Sequence, residues 1–391
     1  MPAPLNTDPV VFRDIDSFAS GLDFQAFAGS KIDALSIDTE TKFTGGSSLR
    51  ITVPPTSGGY AGGAFTANSA RSFAGYDALT FYAKASKESS LDVVGLGNDN
   101  TGNSLYTAER ASVPLTTSWT KYIVPIPLPS RLTNERGLMY FAEAAEGDGT
   151  EGHTIWFDEV VFENTGLITN PRPILIPQVI NAFVGGEVNV TMTQATFAID
   201  GVDQRMSFLP GYYDFFSDDD AVAVSVDGMI VPVGAGTATL TAKLGDVDAV
   251  GSVTLNVTAP PTERAPIPDI AAADVISLFS NEYDNVPVDT WSTPWDDANV
   301  ADIKIDGDDV KVYTEFGFAG IEFLNPTIDA TEMTHFHMNV WVEEARVVGV
   351  KLVDFGPDNA FGGGDDTEHE SLFGLNTDPG IVVGEWFTLD L

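Results

Sequence analysis

Residues 216–242 read FSDDDAVAVSVDGMIVPVGAGTATLTA, and no other stretch limits so tightly what this chain can fold into. Val222, Val224 and Val226 alternate with small or polar residues, a period of two that predicts one apolar and one wet face on an extended strand. Asp227-Gly228 follows, a pair in which both positions tolerate positive φ and so suit a two-residue hairpin turn. Gly234 and Gly236 break the next run. Ala238, Leu240, Ala242 and Leu244 then restart the alternation against Thr237, Thr239, Thr241 and Lys243. Three short strands and two turns leave no room for a helix. The rest of the chain has the same texture, with Thr, Val, Gly, Asp and Phe in short runs and no helix-length amphipathic segment. The expected fold class is all-β, as β-sandwich modules in tandem.

A length of 391 residues suits two to four domains. The charge is extreme, with 57 acidic against 19 basic residues and a net of −38. Residues 1–165 hold 20 acids and 11 bases, residues 166–267 hold 11 and 4, and residues 268–391 hold 26 and 4. Such a field repels nucleic acid and anionic membranes, and it disfavours polyanionic glycans unless divalent cations bridge them. With no cysteine, disulfides and thiolate metal sites are excluded. No run approaches the ~18 apolar residues of a membrane span, and MPAPLNTDP carries no signal peptide. The modules have the character of exported ones, so the expected location is extracellular or cell-surface, with a leader already removed.

The 216–242 stretch resembles the signature of bacterial immunoglobulin-like group-2 domains, an S-x-D-x-x-V-A-x-V-x-x-x-G turn followed by GAGTATLTA. That resemblance implies a spacer of residues 178–259. Val188, Val190 and Met192 predict one of its strands, and Val253, Leu255 and Val257 its closing strand. Proline-rich connectors are expected on either side, at 166–177 around PRPILIP and at 260–269. Asp218–Asp219–Asp220 fits the family's turn and offers at most a weak cation site.

Residues 1–165 predict a jelly-roll-like sandwich with strands at 10–13, 47–53, 63–67, 78–85, 91–97, 106–112, 120–126, 138–142 and 153–163. GGSSLRITVP, YDALTFYAKAS, LTTSWTKYIVPIP and TIWFDEVVFE resemble, in that order, the strands of β-sandwich carbohydrate-binding modules appended to secreted glucanases. The resemblance implies sugar binding, and often a calcium ion tying the first strand to the last. Asp14, Asp16 and Asp158 are the acids placed in sequence for that ion, with the oxygen ligands calcium takes.

For a sugar, the alternation of 79–85 turns Tyr82 and Lys84 outward. Tyr supplies a ring for stacking, and polar side chains supply hydroxyl partners. Asn98, Tyr106, Arg110 and Tyr140 are expected on the same outer face, with Tyr60 capping one end. Trp119 and Trp156 are read as core residues. WFDEVVFE places Asp158 beside Glu159, on opposite strand faces, which does not match the E-x-D-x-x-E arrangement of laminarinase-type glycosidases.

Residues 270–391 predict a third, acidic sandwich that is incomplete at its C-terminus, with a hairpin at Asp306-Gly307. It resembles modules accompanying laminarinase-type glycoside hydrolases and glycan-binding surface proteins of marine bacteria. His335, His337, Asn339 and Trp341 form one face of a strand, which Tyr313 and Lys351 are expected to extend into a glycan platform. Two histidines at i, i+2 lack a third ligand for a transition metal. The glycine-rich loop after 352 gathers Asp365, Asp366 and Glu368 as a second calcium candidate. His153 and His369 are read as lying in polar loops without companions, and no nucleophile–base–orienter set is visible.

The expectation is a secreted, non-catalytic glycan-binding protein acting on a neutral polysaccharide such as a β-glucan, with calcium as a structural cofactor. The alternatives are accessory modules of a glycoside hydrolase whose catalytic domain lies elsewhere, or a surface or filament protein that self-associates through its C-terminal sheet edge.

Overall fold

The computed structural model describes residues 6–325, 327–343, 347–358, 360–377 and 380–391. The segment MPAPL, part of the N-terminal stretch searched for an export signal, lies outside them. The chain forms two compact units, Met1–Ile180 with Val188–Val231 and Ala238–Leu255, and Asn181–Glu187 with Pro232–Thr237 and Asn256–Leu391. No helix among the described residues is long and apolar enough to cross a membrane.

The first unit opens with β1 (Val10–Phe12), β2 (Leu22–Ala26), β3 (Leu35–Asp38), β4 (Ser48–Val53), β5 (Ala61–Arg71) and β6 (Ala78–Ala85). It continues with β7 (Ser89–Leu96), β8 (Ala108–Leu115), β9 (Thr120–Pro125), β10 (Glu135–Glu143) and β11 (His153–Glu163). Next come β12 (Ile168–Leu175), β13 (Gln178–Phe183), β14 (Thr193–Ile199) and β15 (Val202–Phe208). One sheet runs β3-β4-β11-β6-β9, with β1 also on β11; the other runs β12-β14-β15-β8-β7-β10-β5-β2. Alternation explains how the two pack. Leu49, Ile51, Leu79, Phe81, Ile155 and Phe157 point inward from the first sheet, and Phe65, Leu91, Val94 and Phe141 from the second, all fully buried. Phe141 meets Phe157 across the interface with ring centroids 5.4 Å apart. Each such side chain contributes about 1.5–3 kcal/mol on burial.

The expected strands of the first module all form, while β2 and β3 were not anticipated, being short and little buried. The connector expected at 166–177 is corrected. Residues 168–175 form β12, whose Arg172 pairs with Thr196 and Leu175 with Thr193 of β14. Pro171 and Pro173 are accommodated because β12 is an edge strand, where a missing N–H breaks no ladder. The second sheet thus runs on past the first module, with β15 pairing to β8 at Ser207↔Glu109.

The middle of the chain adds β16 (Asp214–Ser217), β17 (Ala223–Val226), β18 (Met229–Pro232), β19 (Gly236–Leu244), β20 (Val247–Asp248) and β21 (Val253–Thr258), with a sheet ordered β13-β21-β19-β16. Asp227 and Gly228 sit at φ 52 and 81°, as a hairpin turn of that kind needs. Ala238, Leu240, Ala242 and Leu244 are buried as the alternation requires. Two expectations fail here. Val226 is 50 % exposed, because β17 and β18 form a ladder of their own and, of residues 222–226, only Val222 and Ala223 are buried. Residues 188–192 are not a strand; Met192 has φ 55° and is exposed.

The second unit holds β22 (Asp297–Ile305), β23 (Asp308–Phe318), β24 (His337–Trp341), β25 (Val348–Asp354), β26 (Thr367–Phe373) and β27 (Trp386–Asp390). Among the described residues they pair as three separate two-stranded ladders, β22–β23, β24–β27 and β25–β26. The predicted turn at Asp306-Gly307 joins β22 to β23, with φ 50 and 82°. A small core of Phe373, Ile381, Phe387 and Leu389 lies against the last two ladders.

Candidate functional site

The outer face of the β3-β4-β11-β6-β9 sheet gathers a row of aromatic and basic side chains. Because Leu79, Phe81 and Ala83 are buried, Tyr82 and Lys84 must turn away from the core, as the sequence indicates. Register then sets their neighbours. Trp156 of β11 lies beside Lys84 on one side and Arg50 of β4 on the other, and Lys121 of β9 lies beside Tyr82. The indole N–H of Trp156 donates to Asp38 Oδ2 at 2.8 Å, and Lys84 Nζ stands 5.6 Å from the ring centroid. Trp156 is therefore a half-buried outer-face residue and not part of the core. A shallow depression on the same face is lined by Phe43, Tyr82, Lys121 and Glu163, with Arg13 and Glu159 at its rim. Lys121 pairs with Glu163, and Arg13 with Glu159 at 3.3 Å.

Phe43 is the residue that sequence reasoning missed. It comes from the segment between β3 and β4, is 42 % exposed, and stacks on Tyr82 at 3.7 Å with the planes 13° apart. Trp119, also read as core, is half-buried with its ring 6.0 Å from that of Phe43. Two carboxylates hold Phe43 in place. In β11 the register slips between Asp158 and Val161, with Glu159 at φ 47°, and this bulge aims Asp158 at the segment. Asp158 Oδ2 accepts the amides of Phe43 at 2.8 Å and Thr44 at 3.1 Å, while Oδ1 accepts that of Glu159 at 2.8 Å. Asp14 accepts Gly46 N–H at 2.8 Å, Ile15 N–H at 2.9 Å and the Ser47 hydroxyl. Those three bonds hold Asp14 below the usual carboxylate range. Burial pushes Asp158 up against the pull of its amide partners.

As calcium ligands these acids do not fit. Their oxygens face N–H and O–H donors, which a cation would have to displace, and Asp16 begins a four-residue helix (Asp16–Ala19). Among the described residues no three acidic, histidine or cysteine side chains converge on one point. The same holds for the second candidate: Asp366 Oδ2 accepts Gly362 N–H at 2.7 Å, and Glu368 pairs with Lys351 at 2.5 Å.

Asn98, Tyr106, Arg110 and Tyr140 do not share the face of Tyr82. Arg110 and Tyr140 belong to the opposite sheet, and Asn98 and Tyr106 to the connection between its β7 and β8. Tyr140 is 6 % exposed and donates to Glu109 Oε2 at 2.7 Å, and Tyr106 meets Tyr212 edge-on at 5.5 Å. Arg110 Nη1 donates to the Ile123 carbonyl at 2.9 Å, and burial lowers its pKa. Asn98 caps a turn by accepting Asn100 N–H at 2.8 Å, and the Tyr60 hydroxyl donates to the Ala28 carbonyl at 3.1 Å. On this sheet burial, aided by Asp99, pushes Glu135 up to about 7. A carboxyl raised in the folded state favours folding below its unfolded value of 4.5, and that contribution is lost as pH rises to about 7. Urea midpoints of the wild type should fall between pH 5 and pH 8, and those of Glu135→Gln should fall less. Parallel curves would contradict the assignment.

In the second unit Tyr313, His337 with Trp341, and Lys351 lie on three different ladders, so they do not form one platform. Tyr313 donates to the Trp291 carbonyl at 2.9 Å, and His337 faces Asp390 at 3.4 Å. The face of Asn339 is covered by the 260–269 segment: Asn339 Nδ2 donates to the Pro266 carbonyl at 3.1 Å, and Trp386 Nε1 to that of Glu263 at 2.8 Å. Trp341 pairs in register with Trp386. His153 is also corrected. It is no loop residue: it starts β11 and stands 3.0 Å from Glu143, both side chains fully buried.

No sequence family matches the chain, and no curated protein is similar to it in sequence. Among solved structures, the family 30 carbohydrate-binding module of a Clostridium thermocellum cellulosomal cellulase aligns at 16 % identity over 40 % of this chain and 96 % of its own, with a TM-score of 0.29. The family 11 module from Clostridium thermocellum, solved with a β-1,3-1,4-mixed-linked tetrasaccharide, aligns at 11 % identity over 41 % and 98 %, with a TM-score of 0.30. A β-1,2-glucanase from Parabacteroides distasonis aligns at 14 % identity over 66 % of this chain and 40 % of its own, with a TM-score of 0.30.

Proposed function

We propose that the first unit is a non-catalytic glycan-binding module of an exported protein, holding a polysaccharide against the outer face of the β3-β4-β11-β6-β9 sheet. The observation that carries this reading is the side-chain row itself. Phe43 stacked on Tyr82, with Trp119 and Trp156 nearby, offers ring faces to pyranose C–H groups. Lys121, Glu163, Arg13 and Glu159 rim those rings and supply donors and acceptors for hydroxyls. A shallow open face suits an extended polymer that enters and leaves sideways. The expected backbone is a neutral polysaccharide of the β-glucan kind, because a net of −38 opposes a polyanion.

Affinity electrophoresis against a panel of soluble polysaccharides tests this. At least one should retard the protein, and Phe43→Ala with Trp119→Ala should weaken that retardation about tenfold or more, since each stacking ring is worth roughly 0.5–1.5 kcal/mol beyond its buried area. A protein that no polysaccharide retards, or variants that run like the wild type, would remove the reading.

A further inference from the structure

The cations at one end of this platform point to the kind of sugar it takes, an inference that rests on the glycan-binding reading above. The chain has three acids for every base, and most of its described bases are spoken for by a carboxylate or a carbonyl. Among the described residues Arg50, Lys84 and Arg205 are the cationic side chains with neither an ion pair nor a hydrogen bond. Two of those three flank the same tryptophan. Arg50 is the register partner of Trp156 on β4, and Lys84 is its partner on β6. The ring between them is fixed in orientation, because its N–H is bonded to Asp38. Lys84 rests over the ring, which keeps its ammonium within the platform instead of extended into solvent. Asp38 is a carboxylate on which Arg50 acts electrostatically, and three of its bonds, to Trp156, Glu40 and Thr41, already use its oxygens.

A chain with so large an excess of acid has carboxylates to spare for pairing with exposed Arg50 and half-buried Lys84, yet neither makes an ion pair or a side-chain hydrogen bond on its side of the ring. We propose that the Trp156 end of the platform recognises an anionic sugar, a uronate carboxylate or a sulfate ester carried sparsely on an otherwise neutral chain. Trp156 supports the pyranose ring, the planar fork of Arg50 takes two oxygens of the anionic group, and Lys84 adds a point charge from the opposite side. Sparse substitution reconciles the local cations with the net charge: one anion is attracted at short range, while a uniformly charged polymer is repelled by the rest of the chain.

Titration calorimetry with three probes tests this. The first is a neutral oligosaccharide bearing one glucuronate branch, the second the same compound with the carboxyl reduced to an alcohol, and the third its monosulfated counterpart. The glucuronate or the sulfated probe should bind about tenfold or more tightly than the reduced one, the scale of a charge-assisted hydrogen bond, and the arm that wins tells which anion is read. Arg50→Ala with Lys84→Ala should abolish that difference, so that the anionic probes bind no more tightly than the reduced one. Lys84→Arg should retain most of it. Equal binding of all three probes, or a double variant that weakens all three alike, overturns this inference and leaves the glycan-binding reading standing. Failure of every probe while neutral polysaccharides still retard the protein also overturns it. Failure of every probe together with every polysaccharide removes the glycan-binding reading itself.

Discussion

Replacing His153 by Leu should cost about 2–3 kcal/mol of stability, the upper end of the penalty for leaving a buried acceptor without its partner. Glu143 ends β10 in one sheet and His153 begins β11 in the other, so the pair ties the two layers together. Both side chains are fully buried, with Nε2 3.0 Å from Oε1 but off the hydrogen-bond axis. Glu143 Oε2 is satisfied by the Asp92 amide at 2.8 Å, whereas Oε1 faces only the imidazole. Burial raises the Glu143 pKa, and His153 and the Asp92 amide oppose that rise. Without the imidazole the rise must grow. A carboxyl raised in the folded state loses its contribution as pH climbs through that value, so the variant should be worst at alkaline pH and recover toward pH 5. At about 2–4 °C per kcal/mol for units of 150–250 residues, the loss is easily seen by thermal melting. Glu143→Leu combined with His153→Leu should restore most of the midpoint, because an apolar pair of similar volume leaves no buried polar group unpaired. A single variant that melts within about 1 kcal/mol of the wild type at every pH would remove the pair from the account of stability.

Much of this architecture is legible in the residues. The period-two runs of 78–85 and 153–163 gave both strands their full length, because turn residues bound them and their inward sets are apolar apart from His153. The hairpins at Asp227-Gly228 and Asp306-Gly307 were legible for a local reason, since few other pairs adopt two positive φ angles. PRPILIP misleads because proline content signals a connector only when the segment lacks a partner. As an edge strand it needs N–H groups on one side alone. The site was legible only in part, and the reason is geometric. Alternation fixes Tyr82 and Lys84 on a face, and the same rule applied to Ile155 and Phe157 would have turned Trp156 outward too. Phe43 has no period to announce it, since it belongs to a loop held by bonds that span 32 and 115 positions in sequence. Which strands share a sheet is equally invisible locally, and that is why Tyr140 and Arg110 were grouped with a face they do not occupy.

The second large effect is expected from Asp158→Ala. This carboxylate is fully buried and accepts three backbone amides, two of them from the segment that carries Phe43. Each amide left buried without an acceptor costs about 1–3 kcal/mol. Part of the loss is recovered if the segment swings out to water, and the recovery takes Phe43 off the Tyr82 ring. The variant should therefore lose both stability and glycan affinity, and the amides of Phe43 and Thr44 should lose protection in hydrogen exchange while core amides of β6 keep theirs. Asp158→Asn should fall between. Burial penalises the charge of the wild-type residue, so removing that charge offsets some of the lost bonding, and one amide oxygen still accepts. This series also separates a backbone staple from a calcium ligand. For a staple, a chelator leaves the wild-type melting midpoint where it was and Asp158→Asn keeps a partly protected Phe43 amide. For a ligand, chelator lowers the wild-type midpoint to that of Asp158→Ala, and that outcome would reassign both Asp14 and Asp158.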